Sequence, residues 1–229
     1  MTDKQNEYLY KMSSYLRRGL ADAQTKLNDL YKIEELEVYM DIPDSPIEHL
    51  RAALMPLVIQ VNDFQDYAET VTNRMELDLQ EVDIYALLDG VMTMADQLVE
   101  MKGGITLEEE IAEELPTIEG DPTRLSQALM NYLHNAVKFT DKGTITVSVT
   151  LETDKVVFEV NDTGIGIADE DQEKVFEPFE TILADKEDPR LGFGLGLKIV
   201  EHIIELHDGE TWFESKKGEG SSFFFTVPL

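Results

Sequence analysis

Val160-Asn161-Asp162-Thr163-Gly164-Ile165-Gly166-Ile167 follows directly on the alternating apolar run KVVFEV and ends it with a carboxylate and two glycines one residue apart. The alternation predicts a strand. Asp162, at its end, can accept a hydrogen bond from an exocyclic amine. Gly164 and Gly166 permit positive φ and let backbone approach a flat ring or a phosphate. Aspartate-glycine turns are common, so the weight of this stretch rests on its neighbours in the chain: an amide-rich helix before it and a second glycine cluster after it.

The helix before it starts at Asp121-Pro122, an N-cap followed by proline at the first helical position. Leu125, Leu129, Leu133 and Val137 form its buried side, while Arg124, Gln127, Asn131, Asn135 and Lys138 recur at steps of three and four on another face. A carboxamide oxygen is a hard ligand suited to Mg²⁺, and lysine supplies a point charge for phosphate. The later cluster, LGFGLGLKIV, sets Gly192, Gly194 and Gly196 ahead of a helix over Leu195 to Leu206. Glycine turns that feed helix N-termini bind phosphate through free N–H groups and the helix dipole. No βαβ unit surrounds this cluster, which excludes a dinucleotide fingerprint, and it lacks the P-loop form.

Strands are also expected at ITLEEEI, TITVSVTLE, TWFES and SSFFFTV, with a short strand in LDLQEV and a helix from there to about Met101. Segregated hairpins and helices predict an α+β sandwich over residues 77–229. Residues 1–76 read differently. Leu9, Met12, Leu16, Leu20, Ala23, Leu27 and Leu30 form one apolar stripe. Ile47, Leu50, Leu54, Leu57, Val61, Phe64, Ala68, Val71 and Met75 form a second with heptad spacing. The loop YMDIPDSP separates them, and Pro56 is expected to kink the second helix. Two helices joined this way make an antiparallel hairpin that cannot bury its seam alone. Pairing two copies as a four-helix bundle solves this, so a homodimer is expected.

Four motifs in order resemble the ATP-binding domain of histidine kinases, within the wider GHKL group that includes gyrase: NYLHNAVKFT the N box, NDTGIGI the G1 box, VFEPF the F box and GFGLGL the G2 box. The resemblance covers about Leu77 to Leu229. It implies ATP and Mg²⁺ as cofactors. Asn135 then holds Mg²⁺, Asn131 and Lys138 lie near the phosphates, Asp162 recognises the adenine amine and Phe139 packs on the base. Gly164, Gly166, Gly192, Gly194 and Gly196 shape the pocket and its lid, ETILADKEDPRL, and Ser222 in GEGSSF matches a hydroxyl that supports adenine recognition. Hydrolytic members of the group carry a glutamate where Asn131 stands, so efficient hydrolysis is not expected.

The same resemblance makes the first hairpin a dimerisation and phosphoacceptor domain, whose signature is close to S-H-E-L-R-T-P-L. This chain has SSYLRRGL, Ser13 to Leu20. Ser14 stands at the phosphoacceptor histidine, Tyr15 at the neighbouring acid and Gly19 at the proline. A serine hydroxyl is a poor nucleophile without a base, and the carboxylate that assists proton transfer is missing. The expectation is an ATP-binding, histidine-kinase-like protein of two-component signalling without autophosphorylation at the usual site. The alternative is a pseudokinase acting as a nucleotide-gated dimeric interaction module; a phosphotransfer adaptor fits less well, since such adaptors keep the histidine and lose the ATP boxes. A receiver domain of a response regulator or a partner kinase is the expected partner. Of the four histidines, His49 reads as a surface residue, His134 as packing beside the pocket, and His202 and His207 as surface or helix-dipole residues.

Composition agrees. The chain has 229 residues and a net charge of −28, which repels nucleic acid and anionic lipid. Without cysteine it has no disulfides or thiolate metal sites. No apolar run approaches the ~20 residues needed to span a bilayer and no signal peptide is visible, so a cytoplasmic location is expected.

Overall fold

A computed structural model of the chain describes residues 9–11, 13, 14, 16–18, 20, 21, 25, 46–180 and 193–229, with side chains from residue 57 onward in the second stretch. Met12, Tyr15, Gly19, Ala23, Leu27, Leu30, the YMDIPDSP loop, the side chains of Ile47, His49, Leu50 and Leu54, and the lid with Gly192 lie outside the described residues. The chain forms two compact units, Met1–Met75 and Glu76–Leu229.

In the first unit the described residues between 9 and 25 are helical, and helix α1 spans Pro46–Val71. The helix continues through Pro56 as one element of 26 residues. It stops at Val71, before the end of the apolar stripe, because Asn73 takes a left-handed conformation with φ 53°. Met75 is nonetheless buried, as are Tyr67 and Ala68. The Arg74 guanidinium lies 4.2 Å from the centre of the Tyr10 ring. Leu16 and Leu57, both on the expected seam, are 43% and 49% exposed in the single chain.

The second unit is an α+β sandwich. A two-stranded ribbon pairs β1 (Gln80–Val82) with β3 (Ile118–Gly120). The main sheet contains β2 (Ile105–Ile111), β4 (Gly143–Leu151), β5 (Lys155–Asp162), β6 (Thr211–Lys216) and β7 (Gly220–Pro228), in the order β2-β4-β5-β7-β6. Its helices are α2 (Ile84–Lys102), α3 (Pro122–Phe139) and α4 (Gly196–Leu206). Two features go beyond the sequence reading. β3 was not anticipated, and β2 pairs with β4 in parallel, a connection that needs a crossover, which β3 and α3 provide.

One face of the sheet carries Ile145, Val147, Val149, Val156, Phe158, Val160, Phe223, Phe225 and Val227, all buried. The helices contribute Leu125, Leu129, Leu133, Ile199 and Ile203, each fully buried. Tyr132 on α3 sits between them, with ring centres 5.4 Å from Phe223 and 5.9 Å from Phe225. Its hydroxyl donates to the Phe224 carbonyl at 3.1 Å, which satisfies the one polar atom this ring brings inside. Burial holds that phenol protonated, far above its ordinary range.

Candidate functional site

The end of β5 and the end of α3 form the first half of the site. Asp162 closes β5 and is 5% exposed. Its Oδ1 accepts the Gly164 N–H at 2.8 Å and the Thr140 hydroxyl at 3.5 Å. Burial pushes its carboxyl above the ordinary value, and the hydrogen bonds from Gly164, Ser221 and Thr140 partly offset this. The chain then turns against the end of α3: Ile165 N–H donates to the Phe139 carbonyl at 3.2 Å. A Cβ on Gly164 would lie 2.5 Å from that carbonyl oxygen and 2.7 Å from Asp162 Oδ1. Gly166 has φ 60°, and a Cβ there would stand 2.0 Å from the Lys216 carbonyl. Both glycines of the turn are therefore required by packing, and Gly166 by its backbone angle as well.

The far end of α3 is fixed from outside. Lys102, in the last turn of α2, donates through Nζ to the carbonyls of Val137 and Lys138 and lies 3.7 Å from Asp141. This places a cation on the free carbonyls at the helix C-terminus. Lys138 and Phe139 are half-buried, with the Lys138 ammonium 4.9 Å from the centre of the Phe139 ring.

The second half of the site lies between α3 and α4. A Cβ on Gly196 would approach Asn131 Oδ1 at 3.1 Å. Asn131 Nδ2 is buried without a hydrogen-bond partner, an exception among buried polar atoms. The helix starts differ in an informative way. α2 is capped by Asp83, whose carboxylate accepts from Tyr85 and Ala86, and α3 by Asp121, which accepts from Thr123 and Arg124. α4 begins after Leu195, which offers no side-chain cap. Its N-cap residue thus leaves the first N–H groups beside the glycine cluster uncapped by its own side chain. Gly194 has φ 65° and packs against Glu180, where a Cβ would be 2.3 Å from its carbonyl. Phe179 N–H donates to the Gly194 carbonyl at 3.1 Å, bringing together the chain on either side of residues 181–192.

The structure therefore gathers Asp162, Gly164 and Phe139 at one point, and Asn131 with Gly196 at another. Asn135 is half-buried on α3. Ser222 does not stand opposite Asp162. In the β5–β7 register Ser222 faces Asn161, and its hydroxyl accepts from Asn161 Nδ2 at 2.7 Å. Ser221 is the residue opposite Asp162, and its hydroxyl lies 2.9 Å from that of Ser215. Adjacent strand residues point to opposite faces, so Ser221 shares the face of Asp162 and Ser222 does not. Of the two readings of His207, surface residue or partner of the helix C-terminus, the second holds: its Nδ1 lies 2.7 Å from the Ile203 carbonyl in the last turn of α4. His207 is 6% exposed and accepts the Asp121 N–H at 2.9 Å. His202 is not a surface residue either, with its side chain 15% exposed. Burial lowers the pKa of His134 and His202 below the ordinary 6.5. Among the described residues no cluster of three or more His, Asp or Glu can hold a metal, and no helix is long and apolar enough to cross a membrane.

A helix-covered mixed sheet with an amide-bearing helix, an aspartate-glycine turn and an uncapped glycine-led helix defines a nucleotide-binding class of ATPase domain. Residues 120–229 match the family described as histidine kinase-, DNA gyrase B- and HSP90-like ATPase. The chain is 33% identical to the "Two-component system protein A" of Emericella nidulans, over 97% of this chain and 33% of that protein. It is similar to full-length ShkA crystallised with AMPPNP, with TM-score 0.76 and 30% identity over 97% of this chain and 45% of that one. It is similar to the nucleotide-free catalytic domain of the histidine kinase ThkA, with TM-score 0.57 and 31% identity over 67% of this chain and 98% of that one. The chain belongs to the histidine kinase branch of this ATPase family. It spans 33% of the length of that Emericella nidulans protein and between 22% and 52% of the length of other curated relatives it matches.

Proposed function

We propose that this chain is an ATP-binding, histidine-kinase-like component of two-component signalling in which autophosphorylation at the usual position does not occur. The observation that carries the nucleotide reading is the junction of α3 and α4: a buried, unpartnered amide at Asn131 beside a helix start with no side-chain cap. Both are hydrogen-bond donors, and both suit phosphate oxygens. Asp162, buried at the end of β5, is the acceptor for the adenine amine, with Phe139 against the base and Gly164, Gly166, Gly194 and Gly196 shaping the walls. Ser221, not Ser222, is the hydroxyl residue placed to assist Asp162. Asn135 would hold Mg²⁺ together with triphosphate oxygens and water, and Lys138 would face the phosphates. Mg²⁺, when bound, neutralises phosphate charge.

A second reading, a pseudokinase acting as a nucleotide-gated dimeric module, is favoured by one specific observation. No histidine precedes His49, and Ser14 occupies the acceptor position. The exposed Leu16 and Leu57 are the seam residues a second copy would cover, and a receiver domain or partner kinase is the expected signalling partner. Two measurements test the proposal. Mg·ATP at one hundred times its Kd adds ~2.7 kcal/mol of stability, which raises the melting temperature by about 5–10 °C for a domain of this size. An unchanged melt refutes nucleotide binding. Incubation with γ-labelled ATP, with and without receiver domains, separates the readings: label on the chain or on a receiver supports phosphoryl transfer, and none supports the pseudokinase.

A further inference from the structure

His207 ends α4 with a side chain that reaches the other nucleotide-site helix. Its Nε2 accepts the backbone N–H of Asp121 at 2.9 Å, and its Nδ1 lies 2.7 Å from the Ile203 carbonyl. A backbone N–H can only donate and a carbonyl can only accept. These partners assign the neutral ring with its proton on Nδ1. Both nitrogens are satisfied inside a buried site: His207 is 6% exposed, Asp121 7%, and Leu125 and Ile203 fully buried. Room for the ring comes from Gly120, where a Cβ would stand 3.2 Å from His207 Cδ2 and 2.9 Å from Leu125 Cδ1.

Asp121 is the N-cap of α3, and its second carboxylate oxygen accepts the Asp78 N–H at 3.0 Å. One contact thus ties the start of α3 to the end of α4. At the other end of the same helix pair, Asn131 meets Gly196. Asp121 to Asn131 and Gly196 to His207 are both spans of about 15–17 Å along helices. The two helices are therefore antiparallel, and the spans between their contacts match: the imidazole joins the start of α3 to the end of α4, and ten residues along α3 the amide faces the glycine at the start of α4. A helix is stiff over this distance, so an axial slip at one end is transmitted to the other.

We propose that His207 is a positioning residue for the nucleotide site: its acceptor nitrogen sets the axial register of α4 against α3, and through it the placement of Gly194 and Gly196 relative to Asn131. The consequence for affinity rests on the nucleotide reading above; the register itself does not. The test uses the full chain and backbone amide NMR without ligand. His207→Leu removes the acceptor and is expected to move the Gly194 and Gly196 amide signals, while His207→Gln, which keeps an acceptor at the same reach, restores them. Changes confined to the neighbourhoods of Asp121 and His207 overturn the proposal. If His207→Leu does not fold, Gly120→Ala serves, since it crowds the ring without removing either partner; unmoved Gly194 and Gly196 signals there also overturn it. Calorimetry with Mg·ATP is expected to show binding about fivefold to tenfold weaker in His207→Leu, the size of one misplaced hydrogen bond, and near wild type in His207→Gln. Equal affinities in all three proteins overturn the link to the site. A wild-type chain that does not bind Mg·ATP refutes the proposed function and leaves the NMR result to decide the register.

Discussion

Gly164→Ala tests the central turn by sterics alone, because its backbone φ lies outside the left-handed region that penalises alanine. The new methyl carbon would lie 2.5 Å from the Phe139 carbonyl oxygen, 2.9 Å from its carbon and 2.7 Å from Asp162 Oδ1. Two of these atoms are backbone at the end of α3 and cannot rotate away. Relief requires the turn to lift off the helix, which strains the Ile165-to-Phe139 bond of 3.2 Å and the Gly164-to-Asp162 bond of 2.8 Å. Overpacking of this kind plus one weakened hydrogen bond costs about 2–4 kcal/mol. For a domain of this size the melting temperature falls by roughly 5–15 °C. Trp212 is the chain's one tryptophan and lies in the Glu76–Leu229 unit, so its fluorescence follows the melt of that unit. Gly90→Ala is the control. Gly90 sits in the interior of α2 with nothing within 4 Å of a Cβ, and the same substitution there stabilises by about 0.5–1 kcal/mol. A Gly164→Ala protein that melts within about 2 °C of wild type, less than 1 kcal/mol at this size, refutes the packing of the turn against α3.

Asn135→Ala is expected to abolish the Mg·ATP-dependent rise in melting temperature while leaving the ligand-free melt within about 0.5 kcal/mol; Asp162→Ala is expected to weaken the rise, and an undiminished rise in both variants removes these residues from the site. Chelating divalent cations is expected to lower ATP affinity sharply in calorimetry, and equal heats with and without Mg²⁺ rule out the metal's role. Stability should fall as pH drops below about 6.5, because His134 and His202 are held neutral by burial and the unfolded chain then takes up protons the folded one refuses; their contribution is full above that pH and lost going down through the lowered folded values. His134→Gln should flatten the decline, and an unchanged pH profile counts against a buried neutral His134. Ser14→His, combined with Tyr15→Glu, is expected to yield labelled chain from γ-labelled ATP; no label from a double variant that binds ATP shows that more than the acceptor has been lost.

Where side-chain chemistry repeats along one element, the sequence was legible. The apolar face of α3, Leu125, Leu129, Leu133 and Val137, is the buried face, and the Asp121-Pro122 start is a true cap. The helix beginning near Gly196 and the strands on either side of Asp162 were equally clear, since a period of two or of 3.6 residues is a local property. What remained hidden was pairing. Nothing local in ITLEEEI says that β2 lies parallel to β4, and three residues of β3 are too few to show a period. Ser221 and Ser222 are chemically identical neighbours, and only the register Asp162↔Ser221 separates them. For His207 the local partner, the end of its own helix, is legible, while the second partner, Asp121, is 86 residues away in sequence. That contact's one local signal was the glycine at 120, which leaves room for a ring.

The charge of the chain bears on how the proposed site would attract an anion. With 47 acidic and 19 basic residues, the surface potential opposes a triphosphate, and at physiological salt screening acts only beyond ~8 Å. A site lined with lysines is one remedy. Under the proposed function, uncharged donors supplement Lys138: the amide of Asn131, and the N–H groups at the start of α4, where Leu195 offers no side-chain cap. Oriented dipoles of this kind attract phosphate at short range without adding to the long-range field. The N-cap position of α4 lacks the acidic cap that stabilises α2 and α3; a carboxylate there would occupy the N–H groups and repel an incoming anion. The loss of a cap costs about 1 kcal/mol in stability, and α4 offsets it with Ile199, Val200, Ile203 and Ile204, all fully buried. The helix is thus held by its core face, and at its end the His207 ring bonds the Asp121 N–H.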